Sequence, residues 1–114
     1  MTPYELAQVA VKALDARRAK EIRMLKTTDV TTLADYFVIC SGTSERQINT
    51  LVDDVEEAFA KEGLLVKSVE GKQNSGWILM DFGDIIVNLF TKEMREKYSI
   101  EKIWGDCDFI EVEE

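Results

Sequence analysis

Apolar residues recur along the chain with two periods, and the points where the period changes mark out the elements. Thr2-Pro3-Tyr4-Glu5 has the form of a helix start: Thr2 can cap, Pro3 suits the first helical position, and Glu5 can close a capping box. Leu6, Val9, Ala10, Ala13 and Leu14 follow at helical spacing. Arg17, Arg18 and Lys20 stand near the end where a helix dipole favours cations. Ile22 to Thr28 alternates weakly, as a strand does. Tyr36 to Ser41 is a short, nearly continuous apolar run, the pattern of a strand covered on both faces, and Gly42-Thr43 breaks it. Ser44-Glu45-Arg46-Gln47 is a second capping box. Behind it Ile48, Leu51, Val52, Val55, Ala58 and Phe59 form one apolar helical stripe that Gly63 can end.

The remainder predicts three strands and a helix. Leu64 to Val69 is strand-like, Glu70 to Gly76 is a polar loop, and Trp77 to Phe82 and Ile85 to Phe90 are apolar runs joined by a Gly83-Asp84 hairpin signal. Thr91 can cap a short helix through Tyr98, a further turn carries Ile100, Ile103 and Trp104, and Asp106 to Glu114 either adds an edge strand or frays. Helices and strands mix along the chain, so an α/β (α+β) domain with a mixed central sheet flanked by helices is the expected architecture.

Composition sets limits on chemistry. At 114 residues the chain fits one domain with its own core. No His is present, which removes a His general base, a Ser-His or Cys-His pair and a His-ligated metal. The 22 acidic residues outnumber the 14 basic ones for a net charge of −8, the wrong sign for binding held by phosphate contacts and the right sign for a basic protein partner. Acidic residues exceed basic ones in both halves, and Asp106 to Glu114 holds acidic residues with no basic one. Cys40 and Cys107 are too far apart in sequence for a C-x-x-C or zinc motif. Cys40, inside an apolar run, reads as a small core residue. No apolar run is long enough to span a membrane and no targeting signal is evident, so a cytoplasmic protein with reduced thiols is expected.

Three groups of residues invite a chemical role. Asp81 and Asp84 flank a turn, with Glu70 a possible neighbour; such carboxylates can bind magnesium, but turn carboxylates more often bond local backbone N–H groups. Ser41-Gly42-Thr43-Ser44 joins a strand to a helix, where a phosphate can sit; without a P-loop Lys, an ordinary turn and N-cap explain it as well. Trp77 and Trp104 are residues of the type that anchor protein interfaces, although core packing accounts for either alone.

Longer motifs say more. Ala34-Asp35-Tyr36-Phe37-Val38-Ile39-Cys40-Ser41-Gly42-Thr43-Ser44-Glu45-Arg46-Gln47 resembles the signature of the ribosomal silencing factor (RsfS, Iojap) family. Val69-Glu70-Gly71 and Gly76-Trp77-Ile78-Leu79-Met80-Asp81-Phe82-Gly83-Asp84-Ile85-Ile86-Val87 continue it, as do Phe90, Arg95, Tyr98, Glu101, Lys102, Ile103, Trp104 and Asp106. The resemblance covers about Leu6 to Asp106, taken as a domain of residues 1–106 with an acidic extension at 107–114. One departure stands out: Asn88 occupies the place where the family usually has a His after the valines of the last strand.

The resemblance implies a nucleotidyltransferase-like fold without established nucleotidyl transfer, hence no enzyme, cofactor or metal. It implies binding to ribosomal protein fourteen of the large subunit, a block on joining of the small subunit, repression of translation under nutrient limitation, and a homodimer when free. Neither sequence-specific nucleic-acid binding nor a membrane is expected. From residue type together with the resemblance, the partner-binding centre is expected at Trp77 and Tyr98, flanked by Glu70, Asp81, Asp84 and Arg95, with Trp104 given to packing. The alternative is a nucleotide-binding enzyme in which Ser41-Gly42 cradles phosphate while Asp81 and Asp84 hold magnesium.

Overall fold

A computed structural model describes residues 2–26, 34–71, 76–98 and 108–110, with backbone alone at 98 and 108–110. The first helix, α1 (Pro3–Ala16), begins with the expected capping box: Glu5 N–H donates to Thr2 Oγ1 at 3.2 Å and Thr2 N–H to Glu5 Oε1 at 3.1 Å. The bond from Thr2 lowers the Glu5 pKa from its ordinary value. Arg18, at φ 58°, ends the helical course before the predicted run of cations is complete, and Arg17 instead reaches Asp54 at 2.5 Å. That bridge ties α1 to α2 (Glu45–Lys61).

The strands are β1 (Lys20–Lys26), β2 (Tyr36–Gly42), β3 (Ser68–Glu70), β4 (Trp77–Asp81), β5 (Ile85–Thr91) and β6 (Asp108–Ile110), in the order β3-β4-β5-β2-β1-β6. The central pair, β2 and β5, is parallel, and every other pairing is antiparallel. All seven residues of β5 are buried, as both sides of a parallel central strand require. The predicted third strand starts later than expected, because Leu64 N–H turns back to the Phe59 carbonyl at 3.0 Å and holds residues 64–67 as a connection. The Gly83-Asp84 hairpin and the Thr91 cap are present: Phe82 N–H bonds the Ile85 carbonyl at 2.9 Å, and Met94 N–H reaches Thr91 Oγ1 at 3.4 Å to start α3 (Lys92–Tyr98). The predicted turn with Ile100, Ile103 and Trp104 lies outside the described residues. The segment expected as an extension contributes β6.

The two faces of the sheet hold two apolar clusters. On one, α1 and α2 bury Ala10, Leu14, Leu51, Val55 and Phe59 against Ile22, Val38, Cys40, Val87 and Leu89. The Phe59 ring meets Phe82 at 4.2 Å. On the other lie Leu25, Phe37, Ile39, Ile86 and Phe90, with Trp77, Leu79 and Met94 packed against them. Period-two alternation along each strand decides which cluster a residue joins.

Two glycines bracket the approach to β4. A Cβ on Gly71 would lie 2.3 Å from the Trp77 carbonyl oxygen. One on Gly76 would lie 2.4 Å from Met94 Cγ, and Gly76 holds φ at +81°. Gly76 therefore lets β4 pass closely under α3 while its carbonyl accepts Thr91 N–H at 2.8 Å. Gly76→Ala is expected to lose about 2 kcal/mol from backbone strain and displacement of Met94, measured as a lower urea midpoint with an unchanged slope.

Candidate functional site

Sheet register places the candidate residues. Val69 pairs with Met80 and Glu70 with Leu79, while Leu79 pairs with Asn88 and Asn88 with Ile39. Trp77 pairs with Phe90, and Phe90 with Ser41. Directly paired residues share a face, so Glu70, Trp77, Leu79, Asp81, Asn88 and Phe90 all stand on the face opposite α1 and α2. Trp77 and Asp81, four residues apart on β4, are about 13 Å from each other. Glu70, Trp77 and Asp81 thus form one acidic and aromatic margin at the β3–β4 side of the sheet.

Within that margin Trp77 is half-buried. Its indole stacks on Phe90 at 5.2 Å with an interplanar angle of 24°, and its Nε1–H donates to Asn88 Oδ1 at 3.1 Å. Glu70 is exposed, as is Val69 beside it on the edge strand. Asp81 is half-buried, and its Oδ1 accepts Gly83 N–H at 2.7 Å, the local turn bond expected of such a carboxylate. Asp84 is exposed in the turn, and its carbonyl accepts Asp35 N–H at 2.8 Å. Tyr98 ends α3, with its side chain outside the described residues.

Arg95 is turned inward. It is 6% exposed; its Nη1 donates to Ser41 Oγ at 3.0 Å and to the Glu21 carbonyl, and its Nε lies 3.7 Å from Glu21 Oε2. Glu21 sits at φ 49° in an irregularity of the β1–β2 ladder between Lys20 and Arg23, so its carbonyl is aimed out of the sheet hydrogen bonding. Arg95 satisfies that carbonyl and pins α3 to β1 and β2 at once. Arg95 thus sits inside the protein beside the Glu21 carboxylate and not on the open surface of the margin.

At the carboxyl ends of β2 and β5 a cleft of about 570 Å³ opens between Lys20, Arg23, Ser41, Thr43 and Lys92. The Ser41-Gly42-Thr43-Ser44 junction there satisfies its own groups: Ser44 Oγ caps Gln47 N–H at 3.1 Å, and Gln47 Oε1 accepts Thr43 N–H at 2.5 Å. Gly42 is small because a Cβ would lie 2.8 Å from Ile48 Cγ1, a packing reason and not a phosphate cradle. Asp84, just before Ile85, and Asp81, level with Ile86 on β4, lie toward the other end of the parallel pair. Four to five residues of strand, about 13–17 Å, separate their levels from that of Ser41, and Asp81 is also two strands away from it. The nucleotide-binding alternative needs phosphate and magnesium at one place, and the sheet holds its two halves apart. Among the described residues no three carboxylates or thiols converge on a metal position. Cys40 is fully buried, and burial pushes its thiol up to about 12, so it is a packing residue and not a nucleophile. Among those residues no helix is long and apolar enough to cross a membrane.

Residue type alone missed the partners of Trp77. Phe90 stood out only as a member of an apolar run and of the family pattern, and Asn88 only as a departure from that pattern. The available signal was a lone amide in the middle of Ile85–Thr91, a strand otherwise built for burial.

Comparison with known proteins agrees over the whole chain. A family model described as ribosomal silencing factor during starvation matches residues 1–114. A ribosomal silencing factor of Halalkalibacterium halodurans is 35% identical over 99% of this chain and 97% of its own. One of Bacillus subtilis is 33% identical over 99% and 96%. A crystal structure of a Chromobacterium violaceum protein superposes with a TM-score of 0.89 at 30% identity, covering 92% of this chain and 88% of the other.

Removal of the Arg95 guanidinium would leave the Glu21 carbonyl and the Ser41 hydroxyl without their partner. Arg95→Ala should therefore lower stability by about 2 kcal/mol in chemical denaturation. An unchanged midpoint would show that these bonds add nothing net to the stability of the fold.

Proposed function

The chain belongs to the ribosomal silencing factor family, and on that premise we propose that it binds the large ribosomal subunit through ribosomal protein fourteen and keeps the small subunit away by its bulk. The observation that carries this reading is the margin formed by Trp77, Glu70 and Asp81: an aromatic residue half-buried on a rigid sheet with carboxylates on the same face. An anchor held by stacking and a hydrogen bond loses little side-chain freedom on binding, which favours affinity. The carboxylates of Glu70, Asp81 and Asp84 pair with Lys or Arg on the partner, and Tyr98 extends the aromatic contact. Arg95 serves the same surface indirectly, by fixing α3.

The charge of −8 supports a basic protein partner and disfavours indiscriminate contact with rRNA. Complementary charge speeds encounter and rejects wrong partners more than it deepens affinity. Size supplies the rest. The domain measures 32 × 31 × 26 Å, so a molecule seated on the joining face separates the subunits with no chemical step. On this reading the protein works in the cytoplasm, is no enzyme, and is a homodimer when free.

Co-sedimentation with purified large subunits tests the partner, and pull-down by isolated ribosomal protein fourteen tests the contact. The wild-type protein should pellet with large subunits, less so as salt rises. Trp77→Ala should weaken binding by about 2 kcal/mol, roughly 30-fold, while circular dichroism remains that of the folded protein. Wild-type affinity in a folded Trp77→Ala protein would remove Trp77 from the interface.

A further inference from the structure

Asn88 is the one described residue with a buried side-chain donor that meets no acceptor: its Nδ2 has no hydrogen-bond partner, and the residue is 0% exposed. Its other atom is engaged, since Oδ1 receives the Trp77 indole N–H at 3.1 Å. The amide cannot be turned over to relieve Nδ2, because Nδ2 would then face the indole donor. In the sheet Asn88 stands between Leu79 on β4 and Ile39 on β2, both apolar. A Leu side chain has nearly the same shape as Asn and would continue that row without an orphaned donor. A buried unpaired amide opposes folding. The fold alone thus gives no reason for an amide at this position.

The indole gives one. The two contacts act on the Trp77 indole in complementary ways: stacking on Phe90 fixes the plane of the ring, and the bond to Asn88 fixes which way the ring faces within that plane. Stacking by itself is satisfied equally well by the ring flipped about χ2, which points Nε1–H elsewhere. We infer that Asn88 is a positioning residue for partner binding, locking the Trp77 indole in the orientation that the large subunit meets. The inference rests on the interface role given above to Trp77. A position-88 residue needs only a buried acceptor aimed at Nε1 to do this, and a neutral His ring nitrogen is also such an acceptor.

Two measurements test it separately. The first needs no ribosome. In NMR spectra of isotope-labelled protein the Trp77 indole N–H, assigned by its loss in Trp77→Phe, should exchange slowly with solvent in the wild type and in Asn88→His. It should exchange faster in Asn88→Leu. The second is affinity for large subunits by co-sedimentation. Asn88→Leu should bind about 10-fold more weakly, Asn88→His should recover most of that loss, and Asn88→Leu should have no further effect in a Trp77→Phe background. If Asn88→Leu does not fold, Asn88→Ala replaces it in both measurements. Slow indole exchange in the folded Leu or Ala variant overturns the lock. Wild-type affinity in that variant, or an equal loss in the Trp77→Phe background, overturns its role in binding. Failure of the wild-type protein itself to bind large subunits would instead defeat the interface reading, with the exchange result still deciding whether Asn88 holds the indole.

Discussion

Everything in this domain depends on the parallel pairing of β2 with β5. The pairing runs without interruption from Tyr36–Ile85 to Gly42–Thr91 and joins segments almost fifty residues apart. A parallel pair cannot be closed by a tight turn, so α2, β3 and β4 are needed to carry the chain back. Its register is also the reference for every other strand. A slip of one residue would exchange the two faces and send Asn88 and Phe90 toward α1 and α2. Burial on both sides makes such a slip expensive, because seven consecutive residues of β5 are enclosed. The position of Trp77 is therefore inherited from the core: β4 takes its register from β5, and Trp77 falls on Phe90.

Much of this was legible in the sequence, for physical reasons. Helix starts were plain because Thr2, Ser44 and Thr91 cap with their side chains, and capping is a local interaction. The helical stripe from Ile48 to Phe59 was plain because a single face is buried. What could not be read was set by distant contacts. The irregularity at Glu21 is held by Arg95, seventy-four residues away in the chain. The late start of β3 depends on a backbone bond to Phe59. The same limit applied to the site. Glu70, Trp77 and Asp81 were named from residue type, and only the sheet put them on one face. It also divided Ser41 from Asp81 and Asp84, which a phosphate and magnesium site would need side by side. The inward turn of Arg95 had no local signature, and the pairing of Asn88 with Trp77 had only the lone amide in β5 as a hint.

The two faces of the sheet divide the work. One is covered by α1 and α2 and supplies most of the apolar core. The other carries a smaller cluster whose margin holds a half-exposed indole among carboxylates. A rigid sheet suits a factor that acts by occupying space, since neither a lid nor a moving domain is required. Acidic charge, modest size and one preset aromatic anchor are the properties that the proposed obstruction of a basic ribosomal surface requires.

The central claim is obstruction, and subunit joining measures it directly. Purified small and large subunits mixed at joining magnesium concentrations with saturating protein should remain separate on a sucrose gradient, with the protein migrating in the large-subunit peak. Undiminished formation of joined ribosomes, or protein migrating with them, would contradict the account.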